Sequence, residues 1–406
     1  MSRLEELIAE LCPDGVEYKM LGEVFVQFSG MGGVSNKWAN EGNCRFIDYM
    51  NAYKHVSIDV ADLPFATVKK LDQNILKQGD VLFTSASETP DECAISSVIE
   101  DKIEDGIFLD DHLFGLRINE DYNDKVSPSY LKYAFRAKSF RSQMKKAVRG
   151  VTRFYVSKPD FMRLRIPVPP LEVQREIVQI LDNFTFLSAE LSAELSARGK
   201  QYEYYRTKLL SFDSQIKWTT LGNIGKVSMC KRIMKNETSS EGDIPFFKIG
   251  TFGKQADAFI SRDTFEKYKS QYAYPNKGDI LISAAGTVGR TVVFDGKPAY
   301  FQDSNIVWVS NDETQVLNEF LYYWYQTNPW KVSTGGTIAR LYNDNIAGAR
   351  VPMLPLEKQR KIIQVLNRFK NLCTDITVGL PAEIEARQKQ YEYYREKLLT
   401  FKELQN

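Results

Sequence analysis

Lys200-Gln-Tyr-Glu-Tyr-Tyr-Arg206 recurs as Lys389-Gln-Tyr-Glu-Tyr-Tyr-Arg395, seven identical residues displaced by 189 positions. Outward from it, Pro170-Leu-Glu-Val-Gln-Arg175 returns as Pro355-Leu-Glu-Lys-Gln-Arg360, and Gly79-Asp-Val-Leu82 as Gly278-Asp-Ile-Leu281. Leu21-Gly22 returns as Leu221-Gly222, and Gly150-Val-Thr152 pairs with Gly335-Gly-Thr337. The displacement falls from 200 to 185 and recovers to 189, so the repeat is uneven. Its helical parts are nearly identical, while the stretches between them have diverged almost completely. Solenoid units repeat every ~20–50 residues, so a period this long marks duplicated domains. One frame carries two different inserts.

The frame reads as long helices. Ile177, Leu181, Phe184, Ser188, Leu191, Leu195, Arg198, Tyr202, Tyr205 and Leu209 follow one another in alternating steps of four and three. That is a heptad seam. It starts behind Pro169 and Pro170, where proline suits a helix start, and runs to about Ser211, giving ~40 residues and ~60 Å. The second copy (Ile362, Leu366, Phe369, Cys373, Ile376, Leu380, Ile384, Arg387, Tyr391, Tyr394, Leu398) contains an extra step of four beside Gly379 and Pro381. A stutter at such residues predicts a kink or break. Neither helix buries its seam alone, and the simplest partner for each is the other. The inserts, roughly 16–168 and 216–353, show strand-like runs at 79–84, 112–117, 278–283 and 305–310, and helix-like stretches at 129–148 and 318–330. The predicted fold class is α/β (α+β): two globular domains separated by two long antiparallel coiled-coil helices, with an internal pseudo-twofold repeat. The boundaries fall at 1–168 (with an N-terminal helix over 3–12), 169–214, 215–353 and 354–406.

The 406 residues carry a formal net charge of +1, so global charge selects no partner. Local charge does. Between Asp124 and Asp160 there is no acid, yet there are ten bases: Lys125, Lys132, Arg136, Lys138, Arg141, Lys145, Lys146, Arg149, Arg153 and Lys158. Tyr130, Tyr133, Phe135, Phe140, Phe154 and Tyr155 are interleaved. Bases with aromatics are the footprint expected at a phosphate backbone; the alternative is a solvated helical face with its acids elsewhere in space. The matching part of the second half has only Lys331 and Arg340 between Glu319 and Asp344. No run of ~18 apolar residues predicts a membrane span, and residues 1–10 form a charged amphipathic stretch unlike a secretion signal. The cysteines (Cys12, Cys44, Cys93, Cys230, Cys373) form no Cys-x-x-Cys pair, which favours a reducing cytoplasm and no zinc site.

Two loops offer themselves as DNA contacts. Ser283-Ala-Ala-Gly286-Thr287-Val-Gly289-Arg290 leaves a strand and bends at two glycines, offering hydroxyls, backbone N–H groups and a guanidinium to a phosphate or a guanine edge. Ser85-Ala-Ser87-Glu88-Thr89 occupies the same place in the first half without the arginine. Either is also readable as a plain turn. Asp110-Asp-His112 and Asp303-Ser-Asn305 also correspond and are expected to shape the same surface. Thr152, Arg153 and Thr337 join the candidates, as does Arg340. Catalytic patterns are weak. Phe28-Ser-Gly30-Met-Gly32 imitates a methyltransferase cofactor loop without any motif to hold an amino-group target. Pro90-Asp91 with Glu100-Asp-Lys102 imitates a nuclease set. His55 and His112 have no metal spacing, and phosphate-loop and nucleophile-elbow motifs are absent. No catalytic and no metal residue is assigned.

The helix repeats, with Leu4-Glu-Glu-Leu-Ile-Ala-Glu-Leu-Cys-Pro-Asp-Gly-Val-Glu-Tyr18, resemble the specificity subunit of type I restriction–modification enzymes. Ser188-Ala-Glu-Leu-Ser-Ala-Glu-Leu195 looks like the IC subclass. The resemblance implies that the inserts are target-recognition domains, each reading half of a split double-stranded DNA site. It implies that the helices, with Ser188, Leu191, Leu195, Tyr202, Tyr205, Tyr391 and Tyr394 as their spacer and coil positions, act as a ruler and as the docking surface for two modification subunits. Those subunits hold S-adenosylmethionine and methylate adenine N6. Motor–nuclease subunits, which use ATP and Mg, join them. This chain would hold no cofactor itself. The family's circular arrangement would pack Leu4, Leu7, Ile8 and Leu11 near Phe401. The rivals are a stand-alone S-adenosylmethionine-dependent methyltransferase using Gly30 and Gly32, and a coiled-coil adaptor with no DNA role.

Overall fold

A computed structural model describes residues 3–39, 41–69, 74–213, 215–331, 340–375 and 377–405. The chain forms two compact units, one built from residues 1–191 with 384–406, the other from 192–383. Each unit takes half of the central helix and one of the two C-terminal helices.

The central helix runs Leu171–Leu209, 39 residues, or ~58 Å. Ile177 and Leu181 are fully buried in the first unit's core. From Phe184 to Tyr202 every seam position is half-buried, and most of their neighbours are exposed. In the first unit Phe184 stacks on Tyr394 at 5.3 Å, and in the second Tyr205 stacks on Phe369 at 5.3 Å. In each unit the central helix thus packs its seam aromatic on one C-terminal helix. The stutter is a full break: one helix ends at Thr374 and the next begins at Leu380. Asp375 Oδ1 accepts from the backbone of Thr377 and Val378, and a side chain at Gly379 would strike the Asp375 carbonyl at 2.6 Å. The N-terminal helix covers Arg3–Leu11. Leu4, Leu7 and Ile8 pack in one cluster with Leu398, Leu399 and Phe401, but Leu11 is exposed.

The inserts, so different in sequence, share a topology. In the first unit a four-stranded antiparallel sheet orders Phe25–Ser29, Leu113–Ile118, Val81–Thr84 and Ser96–Val98. In the second, Gly225–Met229, Ile306–Asn311, Ile280–Ser283 and Thr291–Val293 take the same order. A parallel pair accompanies each: Cys44–Ile47 with Ile107–Leu109, and Ile244–Phe247 with Tyr300–Phe301. Each domain is closed by its first and last strands, Tyr18–Met20 on Arg165–Pro167 and Trp218–Thr220 on Arg350–Pro352.

The repeated motifs now have physical causes. Gly79 and Gly278 hold φ of 91° and 93°, in the left-handed region open to glycine. The aspartates behind them are buried and cap the turns, Asp80 accepting from Lys77 N at 2.8 Å and Asp279 from Asn276 N at 2.7 Å. The glutamine of each Pro-Leu-Glu-x-Gln-Arg is fully buried. Gln174 donates to the Lys125 and Pro169 carbonyls and accepts from Ser127 N. Gln359 does the same with Gln315, Leu354 and Leu317 N. Each thereby ties a long helix to the start of a domain helix.

Those domain helices are shorter than the sequence suggests. The 129–148 stretch divides into Pro128–Ala134, Lys138–Arg141 and a 3-10 turn, Ser142–Lys146, because Ala137 is extended (ψ 146°). The second is Asn318–Tyr325. A helical turn, Leu21–Val24, leads directly into the strand Phe25–Ser29.

Candidate nucleic-acid interface

In the first unit the strand Val81–Thr84 delivers Ser85-Ala-Ser87 to a small sheet in which Ala86–Ser87, Phe154–Val156 and Val148–Arg149 are neighbours. Gly150, at φ 115°, closes the hairpin so tightly that a Cβ would lie 2.1 Å from the Arg153 carbonyl. The hairpin tip thereby presents exposed Thr152 and Arg153 beside Ser87. Ser85 is fixed by its backbone, which bonds His112 O and Val156 N. Between hairpin and sheet opens a cleft of about 650 Å³, lined by Ser87, Thr152 and Arg153 together with Tyr49, Tyr53, Glu92 and His112. The sequence reading missed Tyr49, Tyr53 and Glu92. Their one signal was the i, i+4 tyrosine spacing, which the helix Tyr49–Lys54 turns into a stacked pair 5.9 Å apart. Asp48 caps that helix through Met50 N and Asn51 N.

The acid-free basic stretch divides in two, and three of its bases require a correction. Lys132 is buried between Glu100 and Asp182, at 3.0 and 2.7 Å. Burial opposes its charge, but the bond to Asp182 and the field of Glu100 hold its pKa above the usual value. Arg136 donates to the Ser96 and His55 carbonyls, and burial pushes its guanidinium down to about 10. Arg141 binds the carbonyls of Ala94, Asp91 and Cys93, and burial lowers it too. These three cations, Lys132 buried and Arg136 and Arg141 half-buried, are committed to partners within the protein, with acids and carbonyls supplied from distant sequence. Lys145, Lys146, Arg149 and Arg153 are exposed; Arg149 is shared with Asp160 at 2.7 Å.

In the second unit the Ser283 loop is largely self-contained. Ser283 is buried, its hydroxyl bonded to Thr287 O and Arg290 N. Arg290 donates to Phe252 O at 3.1 Å, and Arg340 to Ser304 O at 3.1 Å. Gly286 (φ 67°) and Thr287 remain exposed at the tip. Thr337 lies outside the described residues. The corresponding turns Asp110-Asp-His112 and Asp303-Ser-Asn305 each receive a cation that sequence reasoning did not single out: Lys37 on Asp110 at 3.1 Å, Arg232 on Asp303 at 2.9 Å. Asp110, Asp111 and His112 are the one cluster of metal-ligand types among the described residues, and Lys37 already bridges its two carboxylates.

The cofactor-loop imitation has a packing explanation. A Cβ at Gly30 would lie 2.0 Å from the Asp110 carbonyl, so this glycine serves the approach of two backbones. Of the nuclease-like set, Glu100 is occupied by Lys132 and Ser57. No helix among the described residues is long and apolar enough to cross a membrane.

A family profile described as type I restriction modification DNA specificity domain matches residues 13–197 and again 214–386. The chain belongs to this family. A putative type I restriction enzyme specificity subunit of Haemophilus influenzae is 55% identical over 260 residues, 62% of this chain and 68% of that one. The EcoR124I/EcoR124II specificity subunit of Escherichia coli is 33% identical over 272 residues, 61% of this chain and 66% of that one. Among solved structures, the HsdS subunit from Thermoanaerobacter tengcongensis superposes with a TM-score of 0.56 at 18% identity, over 97% of this chain and 98% of that one. A chain from a study of complex assembly and conformational transition of the type I R-M system gives 0.63 at 17%, over 95% and 98%. At these identities the two structures speak for the fold. The chain is a type I specificity subunit, a non-catalytic component whose system keeps methylation and cleavage in other subunits.

Proposed function

We propose that each unit reads one part of a split DNA target from the loop end of its four-stranded sheet, and that the helices carry two modification subunits. The supporting observation is the duplication: one sheet topology occurs twice, with unlike residues at the corresponding strand exits, Ser87, Glu92 and His112 in one and Gly286, Thr287 and Asn305 in the other. A stable frame with variable exits suits direct readout by side chains, while exposed Lys145, Lys146 and Arg153 suit phosphate positioning. Partner docking is supported by Tyr204 and Tyr393. They hold the same position in the two repeats and are 59% and 62% exposed, each beside a partly covered tyrosine. Exposed aromatics of this kind are favoured at protein interfaces. Motor–nuclease subunits would complete the assembly, with S-adenosylmethionine, ATP and Mg all bound by partners, in the cytoplasm. The tandem Ser-Ala-Glu-Leu at 188–195 supports the IC subclass.

The test is methylome sequencing of a methylation-free host expressing this chain with its modification subunit. A split adenine-methylated motif is expected, and it disappears when the chain is deleted. Exchanging residues 216–353 for those of another family member should change one half of the motif only. A change in both halves would refute the two-reader arrangement.

A further inference from the structure

The cleft of the first unit has a feature that the frame does not require. Between Val81–Thr84 and Ser96–Val98 the chain takes eleven residues, whereas the equivalent link between Ile280–Ser283 and Thr291–Val293 takes seven. The extra length carries the 3-10 turn Pro90–Glu92 and sets Glu92 against the cleft. Three hydroxyls aim at its carboxylate: Tyr53 at 2.9 Å on one oxygen, Thr89 at 2.9 Å and Ser87 at 3.4 Å on the other. The Tyr53 hydroxyl, then Thr89, holds the carboxyl below its ordinary range. It is an acceptor at neutral pH, with one lone pair left over on Oε1, the oxygen that Tyr53 holds, while Thr89 and Ser87 fill Oε2. Tyr53 is itself held by its stack on Tyr49, whose hydroxyl is anchored on Ala86 O at 3.1 Å. The carboxylate is therefore fixed in direction but still open to the cleft, which Arg153 and His112 also line.

Resting on the recognition role proposed above, we infer that Glu92 is a specificity-determining residue of the first unit, accepting a hydrogen bond from the exocyclic amino group of a cytosine in the major groove. Two bases show an amino donor there, adenine at N6 and cytosine at N4. In adenine the amino group stands beside the N7 acceptor, which a carboxylate repels. In cytosine it has no neighbouring acceptor on the same base. Arg153 suits the paired or adjacent guanine, whose O6 and N7 accept a guanidinium. Tyr53 is a positioning residue: its hydroxyl orients the carboxylate and touches no base.

The experiment compares methylomes of hosts carrying the full chain with its modification subunit, as wild type, Glu92→Gln and Tyr53→Phe. Both replacements are nearly isosteric, and the second keeps the stacking ring. A glutamine both donates and accepts, as adenine N6 and N7 require. Glu92→Gln is expected to admit adenine at one cytosine position of one half-site, with discrimination reduced about 5- to 150-fold. Tyr53→Phe is expected to relax the same position without creating a new preference. An unchanged motif in both variants, relaxation in both half-sites, or uniform loss of methylation without a change of preference overturns the inference while leaving DNA recognition intact. A wild-type chain that directs no split motif would overturn both.

Discussion

Gln174→Ala tests whether the repeated motif is a clamp or merely a helix start. The side chain makes three hydrogen bonds in a fully buried site, to Ser127 N, Lys125 O and Pro169 O. Truncation removes all three and leaves three main-chain groups without their partner. A buried polar group stranded in this way costs ~1–3 kcal/mol. Water entering the vacated space would satisfy part of the loss, so the expected destabilisation is about 3–5 kcal/mol. For a unit of this size each kcal/mol lowers Tm by ~2–4 °C. The chain has two units and a global melt mixes them, so hydrogen exchange by mass spectrometry is the better assay. The Ser127 amide, bonded to Gln174 Oε1 at 2.8 Å, should lose protection about 100-fold, a change equivalent to ~3 kcal/mol. Peptides of the second unit should be unaffected. Gln359→Ala should reverse the pattern, exposing the Leu317 amide. A loss below about 1 kcal/mol in either variant, or loss of protection spread evenly over both units, would refute the clamp.

Three further outcomes are expected. Replacing Lys145 and Lys146 with alanine should flatten the salt dependence of DNA binding by ~0.9 for each phosphate no longer neutralised, whereas Arg136→Met or Arg141→Met should lower thermal stability with the slope preserved; the opposite assignment would show that these internally bonded cations reach DNA. A third Ser-Ala-Glu-Leu copy after Leu195 adds four residues, ~6 Å and a net ~40°, close to the ~35° turn of one base pair. The unread spacer should lengthen by one pair, and an unchanged spacer in the methylome would show that this helix does not set the distance. Iodoacetamide mapped by mass spectrometry should reach half-buried Cys373 first, with Cys230, buried and pushed up to about 12, reacting only on unfolding; early labelling of Cys230 would contradict the packing.

The duplication was legible because its carriers are constrained by packing. Gln174 and Gln359 recur since each solves the same buried hydrogen-bond problem, and the tyrosine-rich helix ends recur with their stacked partners Phe369 and Phe184. The shared sheet topology was not legible, because strands need only apolar alternation and many sequences satisfy it. The basic stretch misled for a related reason. Its count of charges is a local property, but the partners of Lys132 come from positions 100 and 182, and those of Arg141 are carbonyls, which composition does not record. Gly30 shows the same limit: a glycine needed for backbone approach looks the same whether the neighbour is a cofactor or Asp110. Tyr53 and Glu92 stand 39 residues apart, and nothing local announces that they meet.

The last strand-like segment has a consequence for synthesis. Residues 402–404 lie alongside Val16: Val16 N bonds Lys402 O, Leu404 N bonds Val16 O, and Glu403 pairs with Arg165 at 2.7 Å. The unit that begins at the N-terminus therefore lacks a helix and an edge until the ribosome has delivered residue 404. The unit spanning 192–383 is contiguous and has all its parts earlier. The half of the protein made first is the half finished last. A nascent chain with residues 192–383 emerged but its last helix still unmade beyond Glu383 would hold a complete second unit and an incomplete first one, with Leu4, Ile8 and Ile177 still waiting for Leu399 and Phe401 to cover them.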